Sequence, residues 1–484
     1  MVSGRSSMRT IDVCPLIING RAVETPARFQ IDDRFTSEPV TEVAVASRSH
    51  VSQAVTAALQ AFTAGPLPPY ERYRILHRAA ELVEHARHEL METIISETGF
   101  TITDAAGEVT RAVQTLLLSA EEAKRISGET VPLDGAPGVT SRIGFTIRVP
   151  VGVVCAITPF NSPLNTVAHK VAPALAAGNS VVLKPASSTP LTATRFCLLL
   201  MEAGLPAGFL NLLHGEGADV GTWLLEEQDI RFYTFTGSTA VGRSIQRAAG
   251  LRRTQLELGS ISSTIVCEDA NVEWAAPRVI NASFRKAGQV CTSVQRLFVH
   301  EQILSGFVQN LVERTTAAKV GDPRDAATLV GPMITSRQAE RAEAWVREAV
   351  SQGARVATGG RRDGALFHPT ILLDATPVMR VMCEEVFAPV ITIVPFRSLD
   401  DAIAGANGTP YGLAAGIFTS NLNTALRAAR RLEFGTVHVN ETSSSRVDLM
   451  PYGGVKDSGF GHEGPKYAIR EMTEERLITI SQVP

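Results

Sequence analysis

The chain has 484 residues, 44% apolar and 20% charged, with a formal net charge of −3. That composition describes a globular protein with room for two or three domains, and it excludes a basic nucleic-acid binder and a low-complexity chain. The six cysteines (14, 155, 197, 267, 291 and 383) form no CxxC and no metal-ligand spacing, so no metal site is expected, and most lie in apolar runs as in a reducing cytosol.

Residues 1–45 read as a poorly ordered tip followed by short strands, and the opening MVSGRSSMRT has no apolar core of the kind a secretory signal carries. Ile17-Ile18-Asn19-Gly20 is a strand–turn signal. Helical periodicity follows over 49–63, 69–98 and 106–126. Residues 132–146 break the pattern. The most apolar run, 149–160, is interrupted by Pro150, Gly152 and Pro159 and is too short to span a membrane. Strands are predicted at 146–158, 180–184, 209–213, 231–236 and 254–258, alternating with helices at 162–176, 190–203, 218–226 and 238–248. Short apolar strands alternating with helices specify an α/β fold with a parallel, doubly wound sheet. A second alternating block, 261–435, implies a second α/β domain joined near Gly259. The final run, 475–480, alternates and is expected to pair with 140–148 of the same or another subunit.

Ligands of open α/β sheets bind beyond the carboxyl ends of the strands. Three such ends carry candidate groups. Phe235-Thr236-Gly237-Ser238 places Gly237 and Ser238 at a helix start, where free N–H groups favour phosphate, although a simple helix cap reads the same way. Lys184 ends a buried strand, where its charge needs a partner: a ribose or phosphate oxygen, or a carboxylate. Gly215 to Gly221 is a third glycine-rich turn before a helix, with Gly217 and Gly221 in it. Three such turns in one sheet point to a nucleotide site.

Phe284 to Val299 carries the chemistry. Cys291 sits in a turn among Gly288, Gln289, Thr292 and Ser293, between a helix ending at 287–288 and a strand at 296–299. Small polar neighbours suit a reachable thiolate nucleophile; the alternative is an inert core thiol. Asn161, held between Pro159 and Pro163, has an amide able to donate to an oxyanion, or to cap a turn. Glu257 stands in an apolar strand at the domain junction, where burial raises its pKa toward general-base work; a paired Glu at a strand end is the other reading.

The motifs TPFN (158–161), VLKPAS (182–187), FTGS (235–238), ELG (257–259), GQVC (288–291), EEVFAPV (384–390) and PYGGVKDSGFG (451–461), in this order, resemble those of the aldehyde dehydrogenase superfamily over about residues 15–480. The resemblance implies a Rossmann-like cofactor domain (1–122 and 146–258), an α/β catalytic domain (259–435) and a small β oligomerisation arm (123–145 and 466–484). It further implies a cytoplasmic homo-oligomer, dimer or tetramer, that oxidises a small aldehyde with NAD or NADP, and no nucleic-acid or membrane partner. By the same resemblance Cys291 is the nucleophile, Asn161 the oxyanion donor, Glu257 the base for the deacylating water and Lys170 a support for the Asn161 region. Thr158, Pro159, Phe160, Lys184, Ser187, Gly217, Gly221, Phe235, Gly237, Ser238, Leu258, Glu385 and Phe387 are implied as cofactor contacts. Ser187 stands where NAD-preferring members carry Glu, which leaves room for a 2′-phosphate beside Lys184. Ser260 replaces the usual second glycine of ELGG and is expected to alter a loop near the cofactor without removing chemistry.

The 445–454 segment is similar to members acting on small anionic or hydroxy aldehydes. Arg446 and Arg285 are candidates to face a substrate anion, with Asp448 the possible protein partner of Arg446. Arg111 and Thr292 are further candidate substrate contacts. His169 occupies the position of a second carboxylate-binding arginine, and Val290 that of an arginine in phosphonate-specific members. Two other readings are a CoA-acylating semialdehyde dehydrogenase, against which Glu257 stands, and a dinucleotide-binding protein without catalysis, against which Cys291, Asn161 and Glu257 stand together.

Overall fold

The computed structural model describes residues 13–139 and 142–481; the expected tip at residues 1–12 lies outside them. Two parallel-based sheets organise the chain. The first has eight strands, and its centre runs Arg253–Glu257, Ile230–Thr236, Val153–Ile157, Ser180–Lys184 and Leu210–Leu212, all parallel. Antiparallel strands close its edges: Gly459–Phe460 on one side, Leu16–Ile18 and Arg21–Val23 on the other. Successive strands move outward in opposite directions from Val153–Ile157, so strand order reverses between it and Ile230–Thr236. That reversal opens a crevice at the carboxyl ends, where Thr158, Lys184, Thr236 and Glu257 stand.

The second sheet has seven strands in the order Arg355–Thr358, Thr370–Leu373, Val390–Phe396, Arg296–His300, Ser263–Val266, Ala414–Phe418, Thr436–Val439, parallel except for the first pair. Its five central strands are buried along nearly their whole length, as their apolar character requires when helices cover both faces, while the two edge strands are half-exposed. A three-stranded antiparallel sheet stands apart, built from Thr130–Val131, Arg142–Pro150 and Thr473–Ser481. The final run therefore pairs within its own chain, in the register Ile480 to Ile143 and Ile478 to Phe145.

Several predicted boundaries move for local reasons. The helix expected over 69–98 is two, Pro69–His85 and Arg87–Thr98, because Ala86 sits at φ −83°, ψ 7°, outside the helical well. The next helix starts at Ile102, four residues early, since the Thr101 side chain accepts from Asp104 N and caps it. The strand expected over 146–158 breaks at Gly152 (φ 128°), and its halves enter different sheets. The helix expected over 162–176 starts at Asn165, leaving Asn161 in the preceding loop. The helix expected over 218–226 is a wide turn, Gly217–Gly221, then one short helix, Thr222–Glu226.

The turn before Cys291 is tightly built. The helix Val272–Phe284 gives way to a 3-10 turn over Arg285–Gly288 in which Lys286 and Ala287 have φ 53° and 52°. Gly288 (φ 67°) lies so close to the Ala388 carbonyl that a Cβ there would stand 2.2 Å from its oxygen, so only glycine fits.

Candidate active site

The two sheets face one another across a cavity of about 390 Å³. Of the residues singled out in the sequence, Pro159, Phe160, Asn161, Gly237, Ser238, Glu257, Leu258, Arg285, Cys291, Thr292, Glu385, Phe387, Arg446 and Arg111 line it. Thr158, Lys184, Ser187, Phe235, Lys170, His169, Gly217 and Gly221 do not.

Cys291 is partly exposed to the cavity, and its Sγ lies 3.1 Å from the Tyr452 hydroxyl. Burial pushes the thiol up to about 11, with the Tyr452 hydrogen bond acting in the opposite direction and Glu385 and Glu257 adding to the rise. Asn161 is 9% exposed and fixed from both sides. Its Nδ2 donates to the Gln289 carbonyl at 2.8 Å, and its own carbonyl accepts from Lys286 Nζ at 2.9 Å. One N–H of the amide remains for a ligand. Lys286 also donates to Glu108 at 2.6 Å, and Glu108 accepts from Ser162 Oγ and Asn165 N. The lysine holding the asparagine loop is therefore Lys286. Lys170, expected in that role, donates instead to Thr234 Oγ1 (3.0 Å) and Glu463 (3.1 Å).

Glu257 is 3% exposed, and neither carboxylate oxygen has a hydrogen-bond partner among the described residues. Burial, then the nearby negative Glu463, raise its pKa well above the usual glutamate range. Glu463 moves the other way: Lys170 and Arg446 overcome its burial and hold it ionised. Two carboxyls close together, one held charged and one free, separate the buried anion from a group able to exchange a proton.

The arginines divide. Arg446 bonds Glu463 at 2.8 Å and lies 3.7 Å over the Tyr452 ring, so its partner is Glu463 and not Asp448. Asp448 binds Arg111 (2.7 Å), His169 Nε2 (2.8 Å) and Asn165. His169 is thereby turned away from the cavity and is 1% exposed, which removes it from the substrate set. Arg285 donates to Ser444 Oγ at 2.8 Å and makes no ion pair among the described residues; Ser444 in turn touches Thr292 Oγ1. Desolvation of its guanidinium lowers its pKa, with Asp104 nearby acting in the opposite direction.

A dinucleotide fits the crevice. Lys184 is 4% exposed, and among the described residues its ammonium has a single hydrogen-bond partner, the Pro185 carbonyl at 3.2 Å, with burial pulling it down to about 8. The buried Thr158 hydroxyl has no partner among the described residues. Glu385 accepts from Ser260 N at 3.0 Å, and burial raises it to about 7. Phe387 (φ 51°) meets Phe160 edge to face at 6.0 Å. Gly217 and Gly221 lie outside the cavity, and Ser187 Oγ donates to the Gly215 carbonyl at 3.0 Å. Ser260 contributes to the site: its Oγ meets Ser262 Oγ at 3.1 Å, and Ser262 donates to the Cys291 carbonyl at 3.3 Å.

Sequence reasoning missed Tyr452, Lys286, Glu108 and Glu463. Tyr452 sits inside the quoted PYGGVK motif, where its hydroxyl was the available signal. Lys286 and Glu108 meet 178 residues apart, and Glu463 meets Lys170 293 residues apart, which a local pattern does not carry.

A crevice at the carboxyl ends of a parallel sheet, facing a cysteine in a turn before a strand of a second sheet, is the arrangement of an oxidoreductase. Residues 22–478 match the Aldehyde dehydrogenase family, and the chain belongs to it. It is 49% identical over 476 residues to the 3-sulfolactaldehyde dehydrogenase of Priestia megaterium, covering 98% of this chain and 100% of that protein. It is 42% identical over 415 residues to aspartate-semialdehyde dehydrogenase 1 of Pseudomonas canavaninivorans (86% and 88%). The structure of aldehyde dehydrogenase 21 from Physcomitrella patens, in complex with the reaction product succinate, superposes with a TM-score of 0.95 at 34% identity, covering 98% of this chain and 99% of that one. The protein is an aldehyde dehydrogenase that uses NAD or NADP. No helix among the described residues is long and apolar enough to cross a membrane, and none of their His, Cys, Asp and Glu side chains form a group of three or more able to hold a metal.

Proposed function

We propose that this aldehyde dehydrogenase oxidises a short aldehyde bearing an anionic group, a sulfonate or carboxylate, to the corresponding acid. The observation that carries this reading is Arg285, a cavity-lining guanidinium with a hydroxyl partner but no carboxylate partner among the described residues. Of the other arginines lining the cavity, Arg111 is matched by Asp448 and Arg446 by Glu463, while Arg341 donates to the Val386 carbonyl and stands near Glu385, so Arg285 is the unpaired cation on the side of Cys291. The relatives named for sulfolactaldehyde and aspartate semialdehyde, and the neighbour holding succinate, support an anionic substrate.

In the proposed mechanism Cys291, as thiolate, adds to the carbonyl carbon. The free Asn161 N–H donates to the developing oxyanion, and the Gln289 and Lys286 bonds hold it there without reorganisation. Lys184, Ser238 and Glu385 would hold the nicotinamide cofactor, which would supply the hydride acceptor when bound. Glu257 then takes a proton from the water that attacks the thioester. Water rather than CoA is the proposed acceptor because Glu257 lines the cavity with both oxygens free. The eight-stranded sheet is assigned to the cofactor, the seven-stranded sheet to catalysis and the three-stranded sheet to assembly, in a cytoplasmic homo-oligomer.

The test is a panel of short aldehydes, neutral, carboxylated and sulfonated, read by absorbance of the reduced cofactor. Anion recognition by Arg285 contributes about 1.5–3 kcal/mol, roughly tenfold to over a hundredfold in kcat/KM. Arg285→Leu is expected to erase that preference while sparing neutral aldehydes. A wild-type preference for neutral aldehydes of equal length would refute the reading.

A further inference from the structure

Tyr452 is built to present its hydroxyl at one point. Its backbone exchanges two hydrogen bonds with Glu463, at 3.1 and 2.7 Å. Its ring carries the Arg446 guanidinium 3.7 Å above it, and Arg446 is itself held by Glu463 at 2.8 Å. The side chain is 4% exposed, and among the described residues its hydroxyl has one partner, Cys291 Sγ at 3.1 Å. A thiol and a phenol can donate to one another in either sense. A thiolate has no hydrogen and only accepts, so opposite a thiolate the phenol must be the donor. A cation on the ring face draws electron density from the ring and strengthens the O–H as a donor.

We propose that Tyr452 is a catalytic residue whose O–H donates to the Cys291 sulfur whenever that sulfur is negative: in the attacking thiolate, and again in the thiolate expelled from the thioester. This rests on the thioester mechanism above. The thiol proton leaves to the medium before aldehyde adds. As the carbon–sulfur bond forms, charge leaves the sulfur and the hydrogen bond weakens. When water has attacked the thioester, that bond breaks, its electron pair returns to sulfur, and the O–H donates again. The phenol keeps its proton throughout. Thiolate stabilisation gains population in proportion and loses nucleophilicity with an exponent of only about 0.4–0.5, so for a thiol otherwise protonated at neutral pH the net effect on attack is favourable, and on departure it is wholly favourable.

The measurement is the pH dependence of iodoacetamide alkylation of Cys291 in the full-length enzyme, without aldehyde or cofactor. Four charged groups act on this sulfur besides Tyr452: Glu257 and Glu385, which raise its pKa, Arg446, which lowers it, and Arg285. Tyr452→Phe leaves all four in place and keeps the ring under Arg446. It is expected to raise the alkylation midpoint by about one pH unit, the scale of one hydrogen bond to a thiolate. Steady turnover is expected to fall severalfold, with the cofactor KM unchanged. Replacing Tyr452 with 3-fluorotyrosine, which keeps shape and fold but strengthens the donor, is expected to lower the midpoint. An unmoved midpoint in Tyr452→Phe, or an upward shift with fluorotyrosine, overturns the proposal. Because no aldehyde is present, these outcomes stand apart from any failure of the anionic-substrate reading.

Discussion

Glu257 holds two unpaired carboxylate oxygens in a nearly dry site. A carboxyl whose pKa is raised stays protonated where an ordinary glutamate is ionised, and its base form appears only as pH rises. Turnover limited by thioester hydrolysis is therefore expected to climb with pH above the usual glutamate range. Glu257→Gln should keep a burst of reduced cofactor, lose about 10²–10⁴ in the steady rate, and lose the climb. A stopped-flow trace with no burst, or a kcat–pH profile like wild type, would remove Glu257 as the base. The sequence placed Cys291, Asn161 and Glu257 in the site because each lies at a strand end or tight turn, where local pattern and geometry coincide. It paired Arg446 with Asp448 because two residues apart on a strand share a face. The segment is irregular instead, and Glu463, seventeen residues on, takes the arginine while Asp448 turns to Arg111 and His169.

The loop carrying Asn161 shows what an element adds to a residue. It follows the strand Val153–Ile157, and its position depends on Lys286 from a left-handed turn and Glu108 from the helix Ile102–Ala123. The pair is nearly fully buried, so removing one partner strands a charge. Lys286→Met is expected to cost about 3–5 kcal/mol of stability, read by urea unfolding, and to lower kcat more than cofactor affinity because the asparagine loses its anchor. A variant as stable and active as wild type would show that the pair carries no such load. The strands and helices of the first sheet were legible one by one because their apolar pattern is strong, whereas the second sheet was legible only as an alternating block with one strand at 296–299. The breaks at Ala86 and Gly152 were not: each depends on one residue's backbone angles, and Gly152 also divides two sheets that periodicity alone joins.

At the scale of the whole molecule, the three-stranded sheet stands out. Ile143 and Ile480 are cross-strand partners, both more than half exposed, with Phe145 and Ile478 beside them on the same face. An exposed apolar face of this kind is the surface the proposed assembly would cover. Ile480→Lys is expected to shift the protein to a smaller species by sedimentation velocity; an unchanged distribution would take the sheet out of the proposed assembly. The other long-range feature is the short strand Gly459–Phe460, which returns near the end of the chain to pair with Leu256 and Glu257. Arg446, Tyr452 and Glu463 flank that return, so the wall behind Cys291 is made after Cys291 itself. At about 5–20 residues per second, the ribosome takes roughly 10 to 35 seconds to travel from Cys291 to Glu463. Through that interval the nascent chain carries its thiol with neither phenol nor guanidinium beside it. A product stalled or terminated before Glu463 is thus left with a cysteine that lacks both of these neighbours.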